Sequence, residues 1–462
     1  MPTTRTAPHR HLLLALLAAC LLATAAVAAP AAPAAPAAPS AAPPASGGQV
    51  VVGYAPGTDH AEQVATARGA GTAAEEAITP TTRVVRTRPG ESTRAALTRL
   101  RADPDVAYAV PNVVAHAADF TPNDPGRAHV RGGWRRTQWN FLPGAGIDAP
   151  AGWSNLIAAG RPGGRGVKVA VLDTGVAYRN WGAFRRSPDL DRTRFASPYD
   201  FVAGSRFALD RNGHGTHVTS TIAESTNNGF GLTGIAYGAT IIPVRVLDRY
   251  GNGDAATIAR GIRYAANRGA KIINMSLEFP SSVRAAEIPD ILSAVRYARR
   301  KGALIVAAAG NESARTVAYP ARAGGVVAVG ATTEHRCLAD YSNDGSGLDV
   351  VAPGGGPDAE IPGDPNCRPD GTPGRDIVQL TLVGSIARFG YDAEDGTSMA
   401  TPHVSGVAAL VVASGVLGRH PSPTAIERRL KATARRLGDP KRFGAGLIDA
   451  GAATARATSS HR

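Results

Sequence analysis

Between residues 166 and 354, short apolar runs alternate with amphipathic stretches, and this alternation restricts the fold more than any other feature. The apolar runs are GVKVAVLD, TIIPVRVLD, AKIINMSL, ALIVAAAGN, GVVAVGAT and LDVVAPG. Between them lie helical stretches such as DAATIARGIRYAANRG and EIPDILSAVRYARRKG, and both end in a glycine suited to a C-cap. Runs that are apolar throughout are typical of parallel strands buried on both faces. The pattern therefore predicts an α/β fold, a doubly wound parallel sheet.

The first 28 residues have the pattern of a secretory signal peptide. Arg5 and Arg10 precede an apolar segment that is short for a membrane span and ends in small residues. We therefore expect the protein to be secreted and extracellular, with no transmembrane span in the rest of the chain. An alternative stays open, because Leu17–Cys20 also matches a bacterial lipobox, in which a lipid on Cys20 anchors the protein at the cell surface.

Composition changes mark the other boundaries. Residues 29–48 are rich in Pro and Ala and are predicted to be an extended linker. Residues 49–118 contain strand, helix, strand, helix and strand patterns, which suit a small α+β domain with an open-faced, ferredoxin-like sheet. The large α/β domain is expected at 119–456, with a short tail at 457–462.

Charge and cysteine content restrict the partners and the compartment. The net charge of +13 comes mostly from scattered arginines without a dense basic block, so we expect no nucleic-acid partner. If Cys20 leaves with the signal peptide, the exported chain keeps Cys337 and Cys367. An even pair in an oxidising compartment predicts a disulfide, and two unpaired thiols are the alternative.

In open parallel sheets the working residues follow the carboxyl ends of strands. Asp173 closes the first apolar run and is either a helix cap or a buried orienting carboxylate. His214, in NGHGTHV, is flanked by Gly213 and Gly215, which allow close backbone approach. His217 offers a second imidazole, but no HExxH pattern or cysteine cluster completes a zinc site.

The stretch GTSMATPHVSG introduces an apolar helix and permits two interpretations. In one, Ser398 is the N-cap and Pro402 lies in the first turn, where its missing N–H costs little. In the other, the helix N-terminus presents the Ser398 hydroxyl as a nucleophile and stabilises an oxyanion beside it. The second interpretation requires a base and an orienting acid, and His214 and Asp173 are the candidates.

Asp173, His214 and Ser398 occur within VLDTGV, NGHGTHV and GTSMATPHVSG, and INMSL and AAAGN lie between the last two. These five motifs, in this order, resemble those of the subtilisin-like serine proteases, the subtilases, and the thermitase-like branch looks nearest. The segment DVAYAVPNVVAHA is similar to the end of the family's inhibitory propeptide, and TPNDP is similar to the start of a mature enzyme. The resemblance implies a subtilisin-like fold and a self-processing zymogen whose propeptide acts as an intramolecular inhibitor.

The same resemblance implies the chemistry. His214 would be the general base for Ser398, and Asp173 would hold the imidazole in the required tautomer. Asn311 matches the family's oxyanion donor, together with the Ser398 backbone N–H; otherwise Asn311 is a turn residue after Gly310. The implied activity is that of a serine endopeptidase acting on proteins or peptides. The alternative is a catalytically silent, subtilase-fold peptide-binding protein at the cell surface.

Substrate is expected to lie as an extra strand between two edge segments, beside the end of the ALIVAAAGN run. The residues implied for this role are Gly251, Asn252, Gly253, Ser276, Leu277, Glu278, Ala308, Ala309 and Gly310. The family usually has glycine where Glu278 stands. We hypothesise that Glu278 favours basic residues before the scissile bond, and the alternative is that its side chain turns outward into water.

The resemblance implies no cofactor for the chemistry, but it indicates a structural calcium ion. Asp124, Asp189 and Asn228 match positions that supply oxygen ligands in relatives. A Gly/Pro-rich insertion over 354–375, which carries Cys367, is expected near the active face. The enzyme is expected to be a monomer.

Overall fold

The computed structural model describes residues 45–113 and 120–456. The chain divides into two compact units, one up to Ala117 and one from Ala118. The predicted signal peptide with Cys20, most of the predicted linker and the predicted tail lie outside the described residues.

The first unit is a four-stranded antiparallel sheet with two helices. Its strands lie in the order β2-β3-β1-β4, and its connectivity is βαββαβ, so the predicted ferredoxin-like topology is confirmed. Its elements are β1 (Ala45–Tyr54), α1 (His60–Gly69), β2 (Thr72–Thr79), β3 (Thr82–Thr87), α2 (Thr93–Ala102) and β4 (Val106–Val113).

Local signals explain where the two helices begin. Asp59 and Glu62 form a capping box that begins α1, and Ser92 caps α2 by accepting from the Ala95 N–H at 3.1 Å. The sequence patterns did not predict β2, because TAAEEAIT is rich in Ala and Glu, which favour helices. It becomes a strand by pairing antiparallel with β3.

The second unit contains an eight-stranded sheet in the order β12-β11-β10-β9-β5-β8-β6, with β7 also paired to β8. The pairings are parallel. All six predicted strands are present, and two-residue strands β6 and β7 are additional. The strands are β5 (Lys168–Asp173), β6 (Arg194–Phe195), β7 (Tyr199–Asp200), β8 (Thr240–Arg245), β9 (Ile272–Met275), β10 (Leu304–Ala308), β11 (Val326–Thr332) and β12 (Val350–Pro353).

Helices cover both faces of this sheet. Val169 and Val171 of β5 belong to one hydrophobic cluster, while Ala170 and Leu172 belong to the other, as strand alternation requires. The predicted doubly wound α/β fold is thus confirmed. The helices are α3 (Trp134–Thr137), α4 (Ala149–Ala158), α5 (His214–Ala223), α6 (Ala255–Asn267), α7 (Pro289–Arg300), α8 (Thr397–Ser414), α9 (Pro423–Thr433), α10 (Pro440–Phe443) and α11 (Ala450–Thr454).

None of the helices within residues 45–113 and 120–456 combines the length and the apolar character needed to cross a bilayer.

The insertion over 354–375 contains no regular helix or strand, and residues 334–337 hold it in place. Cys337 and Cys367 form the predicted disulfide. An ion pair joins Glu334 to Arg375 at 2.5 Å. The insertion leads into a hairpin that the sequence patterns did not predict, formed by β13 (Ile377–Leu382) and β14 (Phe389–Glu394).

Candidate active site

A cleft of about 510 Å³ opens at the carboxyl edge of the parallel sheet. Segments that follow β8, β9 and β10 form its walls, together with the first turns of α5 and α8. The lining residues are Asn212, His214, Leu247, Tyr250, Gly251, Asn252, Gly253, Ile258, Ser276, Leu277, Glu278, Phe279, Pro280, Asn311 and Ser398. The predicted nucleophile and base therefore line one cleft, along with most of the predicted substrate-binding residues.

Asp173 is the last residue of β5, and its side chain is fully buried. Its Oδ1 accepts hydrogen bonds from His214 Nδ1 at 2.7 Å and from the Thr174 N–H at 2.7 Å. The first bond places the proton of neutral His214 on Nδ1, which leaves Nε2 with a lone pair. The His214 side chain keeps a quarter of its surface exposed. Asp173 is thus a buried orienting carboxylate, not a helix cap.

A glycine allows the start of α5 to pack this closely against β5. A Cβ atom on Gly215 would lie 2.2 Å from the Gly175 carbonyl oxygen and 3.0 Å from Asp173 Oδ1. Any larger residue would push His214 away from Asp173. The predicted close approach of the backbone is therefore present.

Asp210, which was not singled out from the sequence, fixes the turn that carries His214. Its Oδ1 accepts from the N–H groups of Asn212 and Gly213, and its Oδ2 accepts from the Thr216 N–H at 3.0 Å. The signal was available, because an aspartate just before a glycine-containing turn commonly accepts backbone N–H groups.

Ser398 lies in the first turn of α8, and the N-cap is Gly396, so the interpretation of Ser398 as a cap is wrong. Pro402 is inside the helix and cannot donate to the Ser398 carbonyl, as residue i normally does to i−4. The Ser276 hydroxyl donates to that carbonyl instead, at 2.8 Å. The Ser398 hydroxyl in turn donates to the Ser276 carbonyl at 3.3 Å. The proline therefore leaves the serine carbonyl available to bond with the cleft wall.

Asn311 follows β10 and is held by Thr397, another residue that sequence reasoning missed. Asn311 Oδ1 accepts from the Thr397 N–H at 2.8 Å and from the Thr397 hydroxyl at 2.9 Å. Because these donors fix the oxygen, the Nδ2 group is on the other side of the carboxamide. The arrangement leaves Nδ2 able to donate near Ser398.

The predicted substrate-binding residues divide into those that line the cleft and those that do not. Gly251, Asn252 and Gly253 line one wall of the cleft, and Ser276, Leu277 and Glu278 line another. Ala308, Ala309 and Gly310 are buried at the end of β10 and do not line the cleft. None of the residues of the 354–375 insertion lines it either, although the Gly354 carbonyl accepts from the Gly396 N–H at 3.0 Å.

Comparison with known proteins gives a consistent result. Residues 164–446 match the model of the Subtilase family, and residues 31–112 match the Fervidolysin N-terminal prodomain. M-protease of Shouchella clausii and Subtilisin Savinase of Lederbergia lenta are each 41% identical over 293 residues, which is 63% of this chain. A protease of Pseudoalteromonas arctica is structurally similar, with a TM-score of 0.58 and 31% identity over 72% of this chain and 99% of that chain.

The chain belongs to the subtilase family. The predicted family and its N-terminal prodomain are thereby confirmed. The matched region spans 65% of M-protease, less than two thirds of that protein, and 91% of Subtilisin Savinase. Placement in the thermitase-like branch stays a prediction.

In this subtilase the predicted calcium ligands lie together, but N–H donors occupy them. The Asp124 carboxylate accepts from the backbone N–H groups of Asn227 and Asn228, at 2.8 and 3.0 Å. Asp189 accepts from the Asn228 side-chain amide at 2.9 Å and from the Leu232 N–H at 2.7 Å. Within the described part of the chain, no group of three His, Cys, Asp or Glu residues is arranged to hold a metal. The two carboxylates therefore hold the loop through hydrogen bonds from its N–H groups.

Carboxylates around His214 alter its proton affinity. Burial lowers the pKa of His214, but the adjacent Asp173, followed by Glu394 and Asp210, outweighs burial and raises this pKa to about 9. Burial raises the pKa of Glu394 to about 7, and His214 opposes that shift. Near pH 9, Glu394 is therefore ionised while the imidazole loses its proton. Sequence reasoning missed Glu394 because it lies on the unpredicted strand β14.

If His214 is the base, kcat/KM for a peptide should rise with pH towards about 9, because only the neutral imidazole accepts a proton. Glu394→Gln removes a negative charge that stabilises the imidazolium, so the inflection should move to lower pH. Glu287→Gln, at an exposed site, serves as the control and should leave the inflection in place. A parent profile that falls between neutral pH and this inflection contradicts the assignment.

Proposed function

We propose that this chain is a secreted serine endopeptidase that hydrolyses peptide bonds through Asp173, His214 and Ser398 by way of an acyl-enzyme. The observation that carries the proposal is the 2.7 Å bond between His214 and Asp173 at a cleft that also presents Ser398 and Asn311. The names of the relatives support it, since they are proteases. We infer an extracellular, monomeric enzyme acting on proteins or peptides.

Each step uses a feature of the cleft. His214 Nε2 takes the proton of the Ser398 hydroxyl as the oxygen attacks the scissile carbonyl, and then returns it to the leaving amine. Asp173 keeps the Nδ1 tautomer and stabilises the imidazolium that forms. Asn311 Nδ2 and the Ser398 N–H stabilise the oxyanion of the tetrahedral intermediate. The chemistry requires no cofactor.

The alternative, a silent peptide-binding protein with this fold, is not favoured. Such a protein needs neither an oriented imidazole nor a fixed carboxamide, and both are present. A fluorophosphonate probe distinguishes the two functions, because it reacts with an activated serine hydroxyl. Labelling of Ser398 in the parent, lost in His214→Ala, is expected for the peptidase.

We further propose that residues 49–118 inhibit the enzyme until the precursor cuts itself near the Ala115 to Phe120 boundary. The similarity of residues 31–112 to a prodomain supports this proposal. Of this predicted cleavage segment, residues 115–119 lie outside the described residues.

Self-processing predicts that Ser398→Ala accumulates as an uncleaved precursor, because the nucleophile is absent. Intact-mass analysis of the purified protein gives the measurement. The matched control is Ser385→Ala, which makes the same change in an exposed turn and should mature normally. Normal maturation of Ser398→Ala with no other protease present contradicts self-processing.

The oxyanion assignment predicts that Asn311→Ala loses ~10²–10³ in kcat with little change in KM, a magnitude that comes from subtilisin itself. Thr397→Val removes the hydroxyl that donates to the Asn311 carboxamide and accepts from the Gly310 N–H, but it keeps the Thr397 N–H bond to Asn311, so it should cost about tenfold or less. Steady-state kinetics on one peptide gives both values. A loss below about tenfold in Asn311→Ala argues against a donor role.

A structural calcium ion is the remaining proposal from the family resemblance. Burial raises the pKa of Asp189 to about 7, and nearby Asp124 adds to the shift. A divalent cation bound through the oxygen lone pairs that the N–H donors leave free would offset the repulsion between these carboxylates. The expected result is a lower Tm in EDTA, restored by excess Ca²⁺ but not by Na⁺. An equal Tm in EDTA and in Ca²⁺ contradicts the proposal.

A further inference from the structure

Glu278 lies in the cleft wall that follows β9, and it bonds to the wall that follows β10. It lines the cleft together with Ser398 and Asn311. Its Oε1 accepts from the Asn311 backbone N–H at 3.2 Å. The side chain therefore turns towards the residue that carries the proposed oxyanion donor, and not outward into water.

The second carboxylate oxygen has no such contact. Glu278 Oε2 is buried and has no hydrogen-bond partner within residues 45–113 and 120–456. Burial raises the pKa of Glu278, and the Asn311 N–H opposes this shift. A buried anionic oxygen without a donor is unfavourable, so a ligand that supplies N–H donors and positive charge gains free energy at this point.

Among the residues that the structure describes, the rest of the cleft gives this carboxylate no Lys or Arg side chain to pair with, and its one basic residue, His214, is already bonded to Asp173. Glu312, next to Asn311, is exposed and does not line the cleft, although its charge also raises the pKa of Glu278. Apolar surface is supplied by Leu277, Phe279 and Pro280. An acidic group beside apolar surface matches an arginine or lysine side chain, whose stem is apolar and whose end is charged.

We propose that Glu278 makes this enzyme select Arg or Lys as the residue immediately before the scissile bond. The position follows from Asn311. If Asn311 Nδ2 binds the scissile carbonyl oxygen, the nearest substrate side chain belongs to the residue that carries this carbonyl, and Glu278 contacts the backbone of Asn311. The inference rests on the proposed peptidase function and names the substrate class for that cleft.

The test uses three matched peptides that differ only at this position, with Arg, its uncharged isostere citrulline, or Leu. In the parent, kcat/KM for the Arg peptide should exceed that for the citrulline peptide by about tenfold or more, the effect of one charge-assisted contact. In Glu278→Gln, which keeps the shape and an acceptor for the Asn311 N–H, the Arg-to-citrulline ratio should fall towards about one. Glu278→Gly provides a second variant with the same expectation.

Glu312→Gln is the control, because it removes a nearby charge whose Oε2 is already bonded to the Ser281 N–H at 2.9 Å. Its Arg-to-citrulline ratio should stay within about twofold of the parent, since a screened, exposed charge contributes little. An equal fall in Glu312→Gln overturns the assignment to Glu278, as does a ratio that Glu278→Gln leaves unchanged.

Different results would overturn the selectivity for Arg or Lys and the peptidase function itself. A parent that reacts with fluorophosphonate and cleaves the Leu peptide, but does not prefer Arg over citrulline, overturns the selectivity alone. A parent that neither reacts with fluorophosphonate nor cleaves any of the peptides overturns the peptidase function, and the selectivity with it.

Discussion

The hydrogen bond between Asp173 and His214 depends on where β5 lies in the sheet. β5 is flanked by β8 and β9, and both of its faces are covered, so its last residue is removed from water. A carboxylate there needs donors, and the Thr174 N–H and His214 Nδ1 supply them to Oδ1, while Oδ2 has no partner among the described residues. Because the surroundings have a low dielectric constant, the bond is strong and holds the imidazole in one orientation. The base is thus oriented by the same packing that forms the core.

The nucleophile depends on a different adjustment, made within α8. A regular helix would use the Ser398 carbonyl internally, but Pro402 removes that donor, and Ser276 takes its place. This replacement hydrogen bond connects the cleft wall that follows β9 to the first turn of α8. One hydrogen bond of the helix is lost. In return, Ser276 in the cleft wall is held at a fixed distance from Ser398, the proposed nucleophile. A proline inside an otherwise apolar helix is tolerated because another donor satisfies the freed carbonyl.

The strands of the large sheet were predictable because their apolar runs are continuous and bounded by glycines or polar residues. Asp173 and His214 could be sought where parallel strands bring their carboxyl ends to one edge, whereas Asn311 was identified from the resemblance to the subtilases. Strand β14 escaped prediction because FGYDAE is only half-buried and carries polar residues. Its partner β13, IVQLTL, is buried throughout, so its apolar residues were a signal that the sequence patterns offered. Contacts such as that between Thr397 and Asn311 join residues 86 positions apart, and a pattern read along one chain does not show them.

That unpredicted hairpin contributes to the electrostatics of the base. Glu394 ends β14, four residues before Ser398, and together with Asp210 it adds negative charge near His214. Such charge stabilises the imidazolium, so it favours the charged intermediate of acyl transfer while it lowers the fraction of neutral base at neutral pH. Burial of Glu394 limits the effect, because its own pKa of about 7 removes the negative charge in acid. Catalysis is therefore favoured under alkaline conditions, because Glu394 is charged there and His214 is increasingly neutral.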